Sequence, residues 1–237
     1  MTGDAMIEVR ESIPYKGIRK AVGKHMEASL AIPLHYQGIY ADVTDLLEFR
    51  KKVNEEHGSK VTVNDFIIRA VALSLQKTPI MNSSLNADKT AIEVYQPSNI
   101  SVMTASEKGL VAPVIKDAQD KSVFQISEEM RELVSRANAG KLRPDDISGG
   151  TFGVTNIGKL NSYDSVPRPL PPQSSIMTAC TAKKMAVVLD DGKDTIAARM
   201  MMKLVIGSDH RVTDGVPLAN FINDVKRYLE DPASLLK

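Results

Sequence analysis

The sequence has a single cysteine, Cys180, in 237 residues. One thiol cannot close an internal disulfide, and this usage suits a reducing compartment. Cys180 sits in an apolar run, so a buried thiol is expected rather than a reactive one. No apolar run approaches the roughly 20 residues of a membrane span. The opening Met1-Thr-Gly-Asp-Ala-Met6 lacks the basic and apolar regions of a signal peptide. Neither sign of charge dominates, with 30 Lys and Arg against 29 Asp and Glu. That removes any broad electrostatic case for nucleic acid. No spacing of His and Cys suggests a metal site, and there is no internal repeat. These absences leave a cytoplasmic globular protein as the expectation, with no metal, membrane or nucleic-acid partner.

What is present is ordinary for such a protein: 43% hydrophobic and 25% charged residues. Residues 1–12 are polar and are expected to be disordered or extended. From residue 13 to 237 no polar flexible linker divides the chain, so one domain is expected. Ile18, Val22, Met26 and Leu30 recur every fourth residue, which predicts a helix to about Ala31. His35 to Val43 reads as a strand. Thr44 can cap a helix to about Glu56, closed by Gly58. Thr62 or Asn64 can cap an apolar helix over Phe66 to Leu75. Ile92 to Tyr95, Ile100 to Thr104 and Leu110 to Ile115 read as strands. Ser122 caps a helix closed near Gly140, and Gly149-Gly150 opens a strand to Ile157. Pro167 to Pro172 reads as a rigid loop. Runs Ile176 to Leu189 and Thr195 to Ile206 flank a hairpin signal, Asp190-Asp-Gly192. Interspersed helices and close strand pairs predict an α/β fold: a two-layer sandwich with a mixed, largely antiparallel sheet and helices on one face.

The chemistry concentrates in Ile206-Gly-Ser-Asp-His-Arg-Val-Thr-Asp-Gly-Val-Pro217. A strand leads in and a helix, Pro217 to Glu230, leads out. His210 and Asp214 thus sit on a tight connection between rigid elements, where catalytic groups tend to be held. An imidazole can give or take a proton near neutral pH and can activate a thiol or hydroxyl. The plain alternative is that His210 ends the strand and Asp214 caps the following helix. His25 and His57 read as surface helix residues.

The longer string Ser208-Asp-His-Arg-Val-Thr-Asp-Gly215, with Ala219-Asn-Phe221 and Tyr228-Leu-Glu-Asp-Pro232, resembles the end of the dihydrolipoyl acyltransferase catalytic domain of 2-oxo acid dehydrogenase complexes. Further matches follow in the family's order: Arg19-Lys20 with Met26 and Ser29; Asp42-Val-Thr-Asp-Leu46 then Arg50; Asn99-Ile100; Gly109-Leu-Val-Ala-Pro-Val114; Gly149-Gly-Thr-Phe-Gly-Val-Thr-Asn-Ile-Gly158; and Pro171-Pro-Gln173. The resemblance covers nearly the whole chain from Ile13. It implies a chloramphenicol acetyltransferase-like fold, and the low aromatic content (5%) and Gly-Gly-Thr-Phe favour the dihydrolipoyl side of that group. Three stretches depart from the family pattern. Ala105 stands where the family usually has Asp, near the coenzyme A channel. Pro33-Leu34-His35 shifts a family histidine by one position, so no role passes to His35. Tyr163 to Leu170 is atypical. Lipoyl-bearing and partner-binding domains are absent ahead of the core, so an excised core or a lone core is expected.

The implied reaction moves an acyl group between dihydrolipoyl and coenzyme A thiols. The resemblance implies His210 as the base, Thr155 as the hydroxyl donor to the tetrahedral oxyanion, and Asp214 as holder of the histidine loop. It implies Arg50, Thr62 and Asn156 as coenzyme A contacts. The lipoyl group would come from another domain or chain, with other complex components as partners. The expected assembly is a homotrimer with sites between subunits, built into a cage of about 24 chains. Two alternatives stay open: a scaffold with a vestigial site, and a coenzyme-A-dependent acetyltransferase with another small acceptor.

Overall fold

A computed structural model describes residues 7–106 and 109–236. The expected loose segment, residues 1–12, falls partly outside the described residues; residues 7–16 have no helix or strand and are exposed. In chain order the elements are α1 (Ile18–Leu30), β1 (Leu34–Asp42), α2 (Thr44–His57), α3 (Val63–Lys77), β2 (Ser83–Leu85), β3 (Ile92–Val94), β4 (Ile100–Ser106), β5 (Gly109–Val111), β6 (Val114–Ile115), α4 (Val123–Ala139), β7 (Phe152–Asn156), β8 (Ser175–Ala179), β9 (Lys183–Val188), β10 (Ile196–Asp209) and α5 (Gly215–Glu230).

The helix ends follow from local chemistry. Thr62 and Asp65 form a reciprocal capping box at the start of α3, and Ser122 and Gln125 form another at α4. Gly58 and Gly140 end α2 and α4 at φ 59° and 65°, a left-handed conformation that glycine adopts without a Cβ clash. At α2 the cap differs from expectation. Thr44 is the first helical residue, and the Asp42 carboxylate accepts from its N–H at 3.0 Å and its hydroxyl at 2.5 Å. The Thr44 hydroxyl in turn receives the Met200 N–H at 2.8 Å, fixing the helix to β10.

The main sheet runs β1-β10-β8-β7-β4-β5, with β6 also on β4 and β9 also on β10. β4, β7 and β8 are mutually parallel and every other pairing is antiparallel. Two predicted strands are split for visible reasons. Between β5 and β6 stands Pro113, which has no N–H to give the ladder, although its carbonyl accepts from Val102 at 2.8 Å. Between β8 and β9, Cys180 to Ala182 put three residues opposite Met202 and Lys203, one residue more than the partner strand. That is a bulge, and Cys180 is fully buried in it.

Side chains alternate across the strands, and one face carries the core. Val102, Val154, Met177 and Ile206 form a level row there, packed in one cluster with α2, α3, α4 and α5. Phe152 and Phe221 meet in that layer at 5.2 Å between ring centroids. The opposite face has no helix of the cluster. The Pro-rich segment crosses it so closely that a Cβ on Gly207 would lie 2.3 Å from the Pro167 carbonyl. Lys203 and Asp164 pin the segment with an ion pair at 2.7 Å. This Lys203 bond draws the Asp164 carboxyl below its usual range. α1 stands outside the core cluster, and its apolar stripe runs through exposed Met26 and Leu30. After α4, Asp146 is held between Arg143 and Arg136, at 2.8 and 3.1 Å. Hydrogen bonds from Arg143 bring its carboxyl down to about 2.

Candidate active site

β10 delivers the histidine loop. Asp209, its last residue, is buried and organises the turn that follows. Its carbonyl accepts from the Val212 and Thr213 N–H groups, and its carboxylate grips the Arg211 guanidinium at 2.9 and 2.6 Å. That ion pair raises the affinity of Arg211 for its proton. The Asp209 N–H donates to Ser174 at the foot of β8, and the His210 N–H donates to Pro33 before β1, both at 2.8 Å. The loop backbone is thus tied to both neighbours of β10. The His210 side chain is left 47% exposed.

Asp214 takes the N-cap position of α5, yet its side chain makes no cap hydrogen bond. Its carboxylate is 86% exposed and lies 3.6 Å from His210 Nδ1, close for a charge and long for a hydrogen bond. His35, from β1, packs on His210 with ring centroids 4.6 Å apart. Gln37 lies behind it: its Nε2 is 3.3 Å from His35 Nε2 and donates to the Gly215 carbonyl at 3.1 Å. A Cβ on Gly215 would come within 3.5 Å of Gln37 and 3.8 Å of His35. This neighbourhood of His35, Asp209 and Gln37 was not found from sequence. The signal for His35 was the antiparallel pairing of the strand after Pro33 with the strand before His210, which sets His35 opposite Ser208.

Thr155 is elsewhere. It lies on β7 one residue from core-facing Val154, so its side chain is on the face opposite the core. Its neighbour in register there is Thr178, whose buried hydroxyl has no hydrogen-bond partner among the described residues. Thr178 is in turn level with Val205 on β10. His210 follows Val205 by five residues, roughly 16 Å of strand, and two strand spacings of about 4.8 Å separate β7 from β10. Within one chain the two side chains are on the order of 15–20 Å apart, by those spacings. His210 and Asp214 are brought together; Thr155 is not brought to them.

The three expected coenzyme A contacts sit around the α2–α3 connection and the end of β7. Asn54 fixes that connection, its side chain bonding Ser59 and both the N–H and the carbonyl of Val61. Thr62 is exposed, but its hydroxyl proton goes to Asp65 at 2.9 Å and the Asp65 N–H takes one lone pair at 3.3 Å. One acceptor site remains on it. Burial raises the Asp65 carboxyl, and the bonds from Thr62 oppose this. Asn156 ends β7; its oxygen accepts from Gly158 at 2.8 Å and its amide reaches Asn64 of α3 at 3.4 Å. Asn64 therefore links Asn156 to the α3 start that Thr62 caps. Arg50, on α2, is half buried, and its Nε has no hydrogen-bond partner among the described residues. Ala105 is exposed on the β4–β5 hairpin opposite Leu110. Among the described residues no group of three or more His, Cys, Asp or Glu side chains could hold a metal ion, and no helix is long and apolar enough to cross a membrane.

A family model for the catalytic domain of 2-oxoacid dehydrogenases acyltransferases matches residues 8–237. The chain belongs to that family. Among its relatives, the dihydrolipoyllysine-residue acetyltransferase component of the pyruvate dehydrogenase complex of Rickettsia felis is 37% identical over 231 residues. That match takes in 94% of this chain and 54% of the relative. The chain spans about half the length of the curated relatives it matches. Two solved structures superpose closely. The "probable dihydrolipoamide acetyltransferase" of Listeria monocytogenes gives a TM-score of 0.87 at 35% identity, covering 93% of this chain and 94% of that one. The cubic core of a pyruvate dehydrogenase multienzyme complex gives 0.90 at 28%, covering 100% and 98%. A chloramphenicol acetyltransferase shares the fold, at a TM-score of 0.56 and 12% identity over 87% of this chain and 94% of that one. The expected chloramphenicol acetyltransferase-like architecture is thereby met.

Proposed function

We propose that this acyltransferase domain moves an acyl group between the thiols of a dihydrolipoyl group and coenzyme A. The observation that carries the reading is His210: a half-exposed imidazole on a loop whose backbone is tied on both sides, in a chain of this family. A thiol with a pKa of roughly 8.5 is mostly protonated at neutral pH, and a positioned base supplies the thiolate where it is needed. His210 takes the proton from the attacking thiol and returns it to the leaving one. Asp214 steadies the loop and its charge faces the imidazole. Attack on the thioester carbonyl makes an oxyanion, to which the Thr155 hydroxyl donates.

His210 must lie within about 3 Å of the attacking thiol, and Thr155 within about 3 Å of the oxygen of the carbonyl that this thiol attacks. Their separation within a chain supports a site shared between two copies, His210 from one and Thr155 from its neighbour. The exposed apolar stripe of α1 is a surface that such packing would cover. The assembly proposed is a homotrimer, built further into a cage of about 24 chains. Coenzyme A is held by Arg50, Thr62 and Asn156, the Arg50 guanidinium facing a phosphate. The lipoyl group arrives on another domain or chain, in the cytoplasm.

Acyl transfer from several acyl-coenzyme A donors to free dihydrolipoamide tests the reading. Turnover that depends on dihydrolipoamide is the expected result. Transfer only to a different small acceptor would replace the substrate assigned here, and an assembled protein that transfers to none would be a scaffold.

A further inference from the structure

The histidine loop is closed by a pair of hydroxyls. Ser208, one residue before the end of β10, is 0% exposed, and Thr213, two residues before α5, is 3% exposed. Their oxygens are 2.7 Å apart. Ser208 Oγ is also 2.8 Å from Ser175 Oγ, and donates to the Ser174 carbonyl at 3.3 Å. A hydroxyl has one proton and two lone pairs. With Thr213 and Ser175 both donating to Ser208, and Ser208 donating to the Ser174 carbonyl, all three are used. Ser208 is then a saturated hub joining β8 to both ends of the loop.

A buried pair of this kind adds little net stability over two apolar side chains of the same shape. What it adds is direction, because a hydrogen bond fixes distance and angle where apolar contact fixes neither. The residues inside the closure are Asp209, His210, Arg211 and Val212. Asp209 and Arg211 hold each other, and Val212 is buried. Thus the side chain whose aim the closure sets is His210.

We infer that Ser208 and Thr213 form a clasp that positions His210 for proton transfer. They are positioning residues, and the inference rests on the acyl-transfer reading above. A base displaced by a fraction of an ångström loses turnover, not substrate affinity.

The test compares the parent with Thr213→Ser, Thr213→Val and the double variant Ser208→Ala/Thr213→Val, each as the assembled protein. Turnover, KM for coenzyme A and melting temperature are measured on all four. Thr213→Ser keeps the donor and should keep most of the turnover. Thr213→Val keeps the shape and should lose about tenfold in kcat with KM nearly unchanged. In the double variant no hydroxyl is left facing another across the loop, and the Ser175 hydroxyl turns to Ser174 Oγ, 3.4 Å away, so it should melt near the parent while kcat stays low. Turnover that follows melting temperature through the set would overturn the clasp, as would equal turnover in Thr213→Val and Thr213→Ser. Should the parent itself transfer nothing to dihydrolipoamide, the function proposed above fails separately. Carbethoxylation of His210 by diethyl pyrocarbonate, read by peptide mass, then decides. Rates several-fold different from the parent in the two variants lacking the Thr213 hydroxyl support the clasp, and equal rates reject it.

Discussion

At the scale of single residues, the site divides into what spacing reveals and what only pairing reveals. The four-residue step from His210 to Asp214 is local, and the sequence places both on one loop. Asp209 reads there as just another polar turn residue. Its role comes from burial beneath the loop and from the Arg211 fork, which depend on where β1 and β8 run. His35 is 175 positions from His210 (210 − 35), and only the β1–β10 register puts the rings in contact. For the proposed base, His210→Ala should lower turnover by about a hundredfold to ten-thousandfold while the assembled mass stays that of the parent. Near-normal turnover would remove His210 from the mechanism. Asp146 gives a second residue-scale expectation, in stability. Its carboxyl titrates at about 2 in the folded chain, against 3.8 ordinarily. An acid bound more weakly to its proton when folded stabilises above its unfolded value, and that stability is lost as pH falls toward the folded one. The parent should therefore lose urea resistance between about pH 4 and pH 2 more steeply than Asp146→Asn. Parallel curves for the two proteins would refute the assignment.

At the scale of elements, helices were the more legible because their ends are written locally. Thr62 with Asp65, Ser122 with Gln125, and the two closing glycines all act within four residues. Strand limits depend on partners. The run from Ile176 to Leu189 is one strand by composition, and the one-residue mismatch against β10 divides it. Ser83 to Leu85 has no apolar alternation to announce it, and becomes a strand by pairing with β3. The α3 cap also bears on the site, since Thr62 is both a cap and a proposed coenzyme A contact. Thr62→Ala should cost about 1 kcal/mol of stability through the lost cap, whereas Thr62→Ser should keep it. If the residue also touches the ligand, the alanine variant raises KM for coenzyme A as well. A stability loss with KM untouched would leave Thr62 a cap alone.

At the scale of the whole molecule, the decisive quantity is the distance between Thr155 and His210. A three-fold ring repeats one head-to-tail interface. In the proposed trimer, chains all carrying His210→Ala, or all carrying Thr155→Val, should leave every site defective. In a co-assembled mixture, some junctions join an intact His210 to an intact Thr155, so up to about one site in three should work. Blending finished homotrimers without subunit exchange should restore nothing. Co-assembled trimers no more active than either parent variant would place the two residues in separate functions. The molecule also carries a single sulphur, outside its methionines, that could act as a nucleophile: Cys180, sealed in the bulge between β8 and β9. Burial holds its proton on more tightly than usual. A protein that passes acyl groups from thiol to thiol is exposed to a particular error, the capture of its cargo by a thiolate of its own. On the function proposed above, that side reaction finds its one thiol candidate buried, with its proton held on.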